Sequence, residues 1–232
     1  MILLEDGAVS EELWTAVDAY LVGSLIAPDA ALSDALEASA AGGLPAINVA
    51  PNQGKLLQLM ARMCGARRIL EIGTLGGYST IWLARALPPG GKMVTLEVAA
   101  KHAKVAAANI GRAGLAAVVD VRLGPAAESL AKIAESGEGP FDFIFIDADK
   151  PNNAVYLDWA LRLSRPGTVI VVDNVVREGA IINAEDADDR VQGSRRLFEA
   201  MAANPRLDAT ALQTVGSKGY DGFALAIVKA GS

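Results

Sequence analysis

Phe141-Asp142-Phe143-Ile144-Phe145-Ile146-Asp147-Ala148-Asp149-Lys150 is a hydrophobic run that ends in an acidic cluster, and Thr168-Val169-Ile170-Val171-Val172-Asp173-Asn174 repeats the arrangement. Short β-branched and aromatic runs bounded by polar residues read as buried strands of a parallel sheet, and open α/β sheets bind ligands beyond the carboxyl ends of their strands. Asp147, Asp173 and Asn174 are therefore expected to meet at one rim, with Lys150 beside them. Three hard oxygen donors suit a hard divalent cation such as Mg²⁺.

Working outward, strand and helix patterns alternate. Arg68 to Glu71 reads as a strand, Tyr78 to Leu87 as a helix stopped by Pro88-Pro89-Gly90-Gly91, and Met93 to Glu97 as a second strand. Ala99 to Ala113 is helical, Val118 to Arg122 a strand, Pro125 to Ser136 a helix with proline near its first turn, and Asn153 to Leu163 a helix between the two acid-tipped strands. This alternation implies βαβ units in a doubly wound, mostly parallel α/β sheet. At the end of the chain the rule breaks. Leu207 to Val215 and Phe223 to Val228 are separated only by Gly216 to Gly222, too short for a parallel crossover, so an antiparallel hairpin is expected and the sheet has seven strands. Before residue 66 there are only helices: Glu11 to Val22, Asp29 to Ala41 and Gly54 to Met63.

The chain of 232 residues is 52% hydrophobic and 21% charged, enough to bury one α/β core, and residues 1–232 are read as one domain. A net charge of −6 speaks against nucleic acid, whose binders need clustered Lys and Arg. Cys64 is the only cysteine and reads as a buried structural thiol. No run approaches the ~20 apolar residues of a membrane span, and Glu5 and Asp6 stand where a signal peptide carries basic residues, so a cytoplasmic protein is expected. Glu185-Asp186-Ala187-Asp188-Asp189 reads as a solvated surface loop, His102 as an exposed helix residue, and Trp14, Trp82 and Trp159 as core or subunit contacts.

Ile69-Leu70-Glu71-Ile72-Gly73-Thr74-Leu75-Gly76-Gly77-Tyr78-Ser79 is a strand, a glycine turn and a helix start, the place where doubly wound folds hold a nucleotide-type cofactor. A dinucleotide site has the spacing Gly-x-Gly-x-x-Gly and lays a pyrophosphate on the helix N-terminus. Here the spacing is Gly73-x-x-Gly76-Gly77, and Glu71 just before it opposes a pyrophosphate while favouring a cofactor with an ammonium and a sulfonium, such as S-adenosylmethionine. Glu97, closing the second strand, suits ribose hydroxyls in either cofactor class.

These residues resemble the metal-dependent class I O-methyltransferases, the group of the catechol and caffeoyl-CoA enzymes, and Val49 to Leu57 resembles its bacterial branch. Leu70 to Thr74 is similar to the family's first cofactor motif, Phe141 to Lys150 to its Asp-x-Asp-Lys strand end, Asp173-Asn174 to its second metal pair, and Lys218 to Phe223 to its closing hairpin. The resemblance implies a Rossmann-like methyltransferase fold in which residues 1–65 cap the site and suit a homodimer contact. It implies Asp147, Asp173 and Asn174 on the metal, and Lys150 as catalytic base together with Asp147. Around S-adenosylmethionine it implies Val49, Glu71, Gly73, Thr74, Ser79, Glu97, Ala126, Asp147 and Asp149. Two positions depart from the family. Gly124-Pro125-Ala126 stands where Gly-Asp-Ala is usual, and Arg177-Glu178 stands where the plant caffeoyl-CoA enzymes have Trp-Asn.

The expected reaction is methylation of a small phenolic vicinal diol. A neutral phenol with a pKa near ~10 is a poor nucleophile at neutral pH, and a chelated cation favours its oxyanion. Two other classes compete: an NAD-dependent dehydrogenase, which NAD would stabilise and S-adenosylhomocysteine would not, and a methyltransferase-like binding protein without turnover. The glycine spacing and Glu71 speak against the first, and the intact Asp147, Lys150, Asp173 and Asn174 set against the second.

Overall fold

A computed structural model describes residues 10–230; Glu5 and Asp6 lie outside them. The helices are α1 (Glu11–Leu25), α2 (Ala30–Ala41), α3 (Pro51–Met63), α4 (Tyr78–Ala84), α5 (Ala100–Arg112), α6 (Ala126–Glu135), α7 (Asn153–Arg162) and α8 (Asp189–Ala203). The strands are β1 (Arg68–Ile72), β2 (Lys92–Glu97), β3 (Val119–Leu123), β4 (Phe141–Ile146), β5 (Ser164–Asp173), β6 (Leu207–Gly216) and β7 (Gly219–Val228). They form one seven-stranded sheet in the order β3-β2-β1-β4-β5-β7-β6. Strands β1 to β5 run parallel, and β7 is antiparallel to both of its neighbours.

Alternation along the buried strands builds both layers, because successive side chains leave a strand on opposite faces. Leu70, Ile72, Ile144, Ile146, Ile170 and Val172 face one core, shared with Leu130 and Ile133 of α6, Leu157 of α7 and Leu197 of α8. Ile69, Met93, Phe143, Phe145 and Val171 face the other, against Ile81 and Trp82 of α4, Ile110 of α5 and Leu57 of α3. Asp142 interrupts the apolar run of β4 for a structural reason. Its Oδ2 accepts the amides of Arg67 and Arg68 at 2.8 and 2.9 Å, and its Oδ1 accepts Arg165 Nε at 2.8 Å, which ties the starts of β1, β4 and β5.

Three elements differ from the sequence reading. The α8 helix has no counterpart there: its buried stripe of Val191, Ser194, Leu197 and Met201 is narrow and carries a serine, so the apolar period is faint. The terminal hairpin turns on Ser217-Lys218 alone, with Gly216 paired to Gly219, because β6 and β7 continue pairing with one another past the last β5 pair, Asp173 with Phe223. Helix α3 begins at Pro51, ahead of the expected Gly54, since proline fits the first helical position. That earlier start places Asn52 and Gln53 in its first turn. Cys64 is half-buried, its thiol donating to the carbonyl of Ala61 at 3.3 Å, and burial pushes its pKa up. Among the described residues no helix is long and apolar enough to cross a membrane.

Candidate active site

Beyond the carboxyl ends of β1, β2, β4 and β5 lies a cavity of about 800 Å³, lined by residues from several loops including Val49, Gly73, Ser79, Glu97, Asp147 and Asn174. Its floor is set by the close approach of β1 and β4. Gly73 has φ 102°, and a Cβ there would stand 2.0 Å from the carbonyl oxygen of Asp147, so only glycine lets the two strand ends meet. An amide bond from Asp147 to Ile72 at 2.8 Å locks the same junction, and one from Gly73 to Leu96 at 3.0 Å ties the turn to β2.

One end of the cavity belongs to β2. Glu97 is 7% exposed; its Oε2 accepts the Leu75 amide at 2.8 Å and its Oε1 the Ala99 amide at 2.9 Å. His102 Nδ1 stands 3.6 Å from Oε1, so this histidine faces the cavity and the expectation of an exposed helix residue is corrected. The helical period alone could not show that the first turn of α5 overhangs the β2 end. Gly124, Pro125, Ala126 and Ala127 close this end.

Residues from β4 and β5 make the other end, three strand spacings or about 14 Å across the sheet. Asp147 and Lys150 both line it, joined by a 2.7 Å ion pair from Nζ to Oδ1. The turn carrying Lys150 is pinned by α8: a Cβ on Gly193 would lie 2.2 Å from the Lys150 carbonyl oxygen. Asp149 is exposed in the cavity and accepts from Asn152 Nδ2 and from the Tyr156 hydroxyl. Burial, then that bond, raises the Tyr156 pKa. Asn174 lines the cavity in the left-handed region with φ 54°.

Asp173 is 5% exposed and lies under the floor, outside the lining. Its Oδ1 accepts the Asn174 amide at 2.9 Å and its Oδ2 accepts Gln53 Nε2 at 2.7 Å. Burial, reinforced by the charge of Asp147, pushes its carboxyl well above the ordinary range. Gln53 belongs to a second cavity of about 260 Å³ on the far side of Asp173, where buried Asp18 of α1 accepts Asn52 Nδ2 and the amide of Ser217, both at 2.8 Å. Nothing in the spacing of the sequence links Gln53 to Asp173, because the contact spans 120 positions.

Glu71 does not line the cavity. It sits wholly buried on the α4 face of β1, with Oε1 accepting Ser79 Oγ at 2.7 Å and Oε2 accepting Thr80 Oγ1 at 2.5 Å and Thr95 Oγ1 at 2.7 Å. Desolvation outweighs those bonds and pushes its pKa up to about 7. An alternating strand sends Glu71 to the side opposite Leu70 and Ile72, and α4 closes over it. Ser79 stands between this carboxyl and the cavity. Thr74, 2% exposed and bonded to Thr95 Oγ1 at 2.6 Å, still reaches the lining.

The chain matches the model of a family described as O-methyltransferase over residues 26–227. It belongs to the O-methyltransferase family. Residues of this chain are 53% identical over 221 positions to a catechol O-methyltransferase of Niastella koreensis, covering 95% of this chain and 100% of that protein. A catechol O-methyltransferase of Mycobacterium tuberculosis is 55% identical over 213 residues, covering 92% and 95%. Among solved structures, an O-methyltransferase from Bacillus cereus in complex with SAH superposes with a TM-score of 0.94 at 60% identity, covering 95% of this chain and 100% of that one. The O-methyltransferase TomG from Streptomyces achromogenes, in complex with SAM, gives 0.93 at 49% identity, covering 96% and 100%. Membership of the O-methyltransferase family sets aside the dehydrogenase alternative.

Among the described residues no group of three His, Cys, Asp or Glu side chains is placed to hold a metal. The donor set expected from the sequence, Asp147, Asp173 and Asn174, is instead two carboxylates and one amide. It fits a hard cation on chemical grounds: Asp147 and Asp173 repel one another, and a positive charge between them relieves the destabilisation that raises Asp173.

Proposed function

We propose that this O-methyltransferase uses S-adenosylmethionine to methylate one hydroxyl of a small aromatic vicinal diol, with Asp147, Asp173 and Asn174 holding a divalent cation such as Mg²⁺ and Lys150 serving as base. One observation carries the reading: Asp147, Lys150 and Asn174 line the same cavity as Gly73, Ser79 and Glu97. The cofactor would thus reach the acceptor inside a single enclosure. When bound, S-adenosylmethionine supplies an electrophilic methyl on a sulfonium, and the cation supplies charge that favours a deprotonated hydroxyl.

In this reading Glu97 accepts from ribose hydroxyls while its bonds to Leu75 and Ala99 hold it still. Ser79, oriented by Glu71, and the backbone at Val49 and Gly73 border the methionine portion, and Thr74, Ala126 and Asp149 complete the surround. Lys150, held over the rim by its bond to Asp147, would in its neutral amine form take the proton of the hydroxyl that attacks. Holding the diol in line with the methyl converts an encounter into a positioned displacement.

Incubation with S-adenosylmethionine, Mg²⁺ and a panel of catechols is expected to give mono-methylated products by mass spectrometry. Activity that survives EDTA would remove the metal from the mechanism, and full activity in Asp147→Ala would remove that ligand. We read residues 1–232 as one cytoplasmic unit that pairs with itself. Val17, Tyr20 and Leu21 of α1 lie exposed, as do Leu212 and Val215 of β6, and α1 packs along β6. Light scattering that returned a monomer would refute the pairing.

A further inference from the structure

The acceptor end of the cavity contains a cation that the methyl-transfer reading leaves without a task. Arg177 lines it, on the same wall as Asn174. Its side chain is 21% exposed, and its Nε is buried with no hydrogen-bond partner. Among the described residues its guanidinium makes no hydrogen bond. It has a long ion pair, with Asp221 Oδ2 standing 3.5 Å from Nη1. The other oxygen of Asp221, Oδ1, accepts the amides of Val176, Arg177 and Gly222, each at 2.9 Å, so the carboxylate meets the guanidinium only through that long contact.

Those amide bonds hold the backbone in an unfavourable shape. Arg177 and Glu178 both have positive φ, 55° and 56°, a region that is unfavourable for a non-glycine residue. The strain is stabilised from outside the turn, and its effect is to fix an arginine against the cavity. A largely desolvated guanidinium with one long ion pair and no hydrogen bond is costly, and its planar fork of donors matches a carboxylate in two parallel bonds.

Neighbouring charges do not fill that role. Arg190, also on the wall, is exposed and engaged by Asp188 at 2.6 and 3.0 Å. Lys150 is paired with Asp147. Asp149, an exposed acid in the lining, is held by Tyr156 and Asn152. Arg177 is therefore the cation of this wall whose donors remain available to a ligand.

We propose that Arg177 is a specificity-determining residue that reads a carboxylate on the acceptor, so that the preferred substrates are aromatic vicinal diols bearing an anionic group. This rests on the proposed methyl transfer to a diol. A carboxylate bonded to Arg177 would set the orientation of the ring and so select which hydroxyl faces the methyl group.

The test compares kcat/KM for 3,4-dihydroxybenzoate, its methyl ester and unsubstituted catechol. The native enzyme is expected to favour the acid over its ester about ten-fold or more, the discrimination that a hydrogen bond to a charged group supplies. In Arg177→Gln the acid-to-ester ratio is expected to fall to about one, with Arg177→Lys recovering part of it. A native ratio of one or below overturns the proposal without any variant, so misfolding of a mutant cannot shelter it. An unchanged ratio in folded Arg177→Gln overturns it too, and a raised KM for S-adenosylmethionine at that unchanged ratio would assign Arg177 to the cofactor. If none of the three compounds is methylated, the diol reading itself fails; if acid and ester react equally, only the role of Arg177 does.

Discussion

Replacing Glu71 by Gln removes an acid that the fold encloses completely. Its pKa rises from the ordinary 4.5 to about 7, chiefly by desolvation, with Asp147 adding to the rise and three hydroxyl donors opposing it. A shift of that size corresponds to about 3 kcal/mol between the protonated and ionised forms. Because the folded pKa lies above the unfolded one, the stabilisation is fully present below about 4.5 and is lost as the pH climbs through about 7. A glutamine has no such dependence, and the hydroxyls of Ser79, Thr80 and Thr95 can rotate to accept from its amide. Urea unfolding of the ligand-free protein at a series of pH values, with wild type and Glu71→Gln side by side, reads the difference directly. Relative to the variant, wild type is expected to lose about 2 to 3 kcal/mol between pH ~5 and pH ~8. Acidic groups elsewhere contribute equally to both proteins and cancel. Parallel curves would refute the buried-acid account, and a wild type that gains with rising pH would reverse it.

Asp142→Ala is expected to cost about 2 to 5 kcal/mol in urea unfolding, because the amides of Arg67 and Arg68 are left without their acceptor. Burial alone would raise the Asp142 pKa, but those amides and Arg165 hold it below the ordinary value, so its contribution persists at neutral pH and disappears as pH falls through that lowered value. Gln53→Leu removes the donor that fixes Asp173 Oδ2 and is expected to weaken Mg²⁺ binding by about 10- to 100-fold in calorimetry; unchanged affinity would separate Gln53 from the ion. Gly193→Ala forces a Cβ against the Lys150 carbonyl and is expected to cost about 1 to 3 kcal/mol while lowering kcat, since the turn that carries Lys150 must move. Wild-type kcat and stability in that variant would show that α8 does not hold the turn.

Much of the candidate site is legible in the sequence because the carboxyl ends of parallel strands share a rim wherever the helices lie. Hydrophobic runs that end in Asp147 and Asp173 fix which residues leave the sheet there, and the glycine turn after β1 fixes where a cofactor passes. The spacing of Gly73, Gly76 and Gly77 already departs from that of a dinucleotide site, whereas the charge assigned to Glu71 is not presented to the cavity. A period of two also carries both cores, since Leu70 and Ile69 must face opposite layers.

What only the tertiary structure decides is which side chains meet across long separations and how much water they keep. Glu71 reads as an anion at the cofactor turn, but α4 closes over it and leaves Ser79 at the cavity. His102 reads as a surface residue, but the first turn of α5 brings it beside Glu97. Gln53 meets Asp173, and the Arg177 guanidinium is left without a hydrogen bond among the described residues while its amide is held by Asp221, because α3 and the terminal hairpin dock on the ends of distant strands. Local sequence sets the period and the punctuation of the chain; desolvation and pairing depend on packing between elements, which no local pattern records.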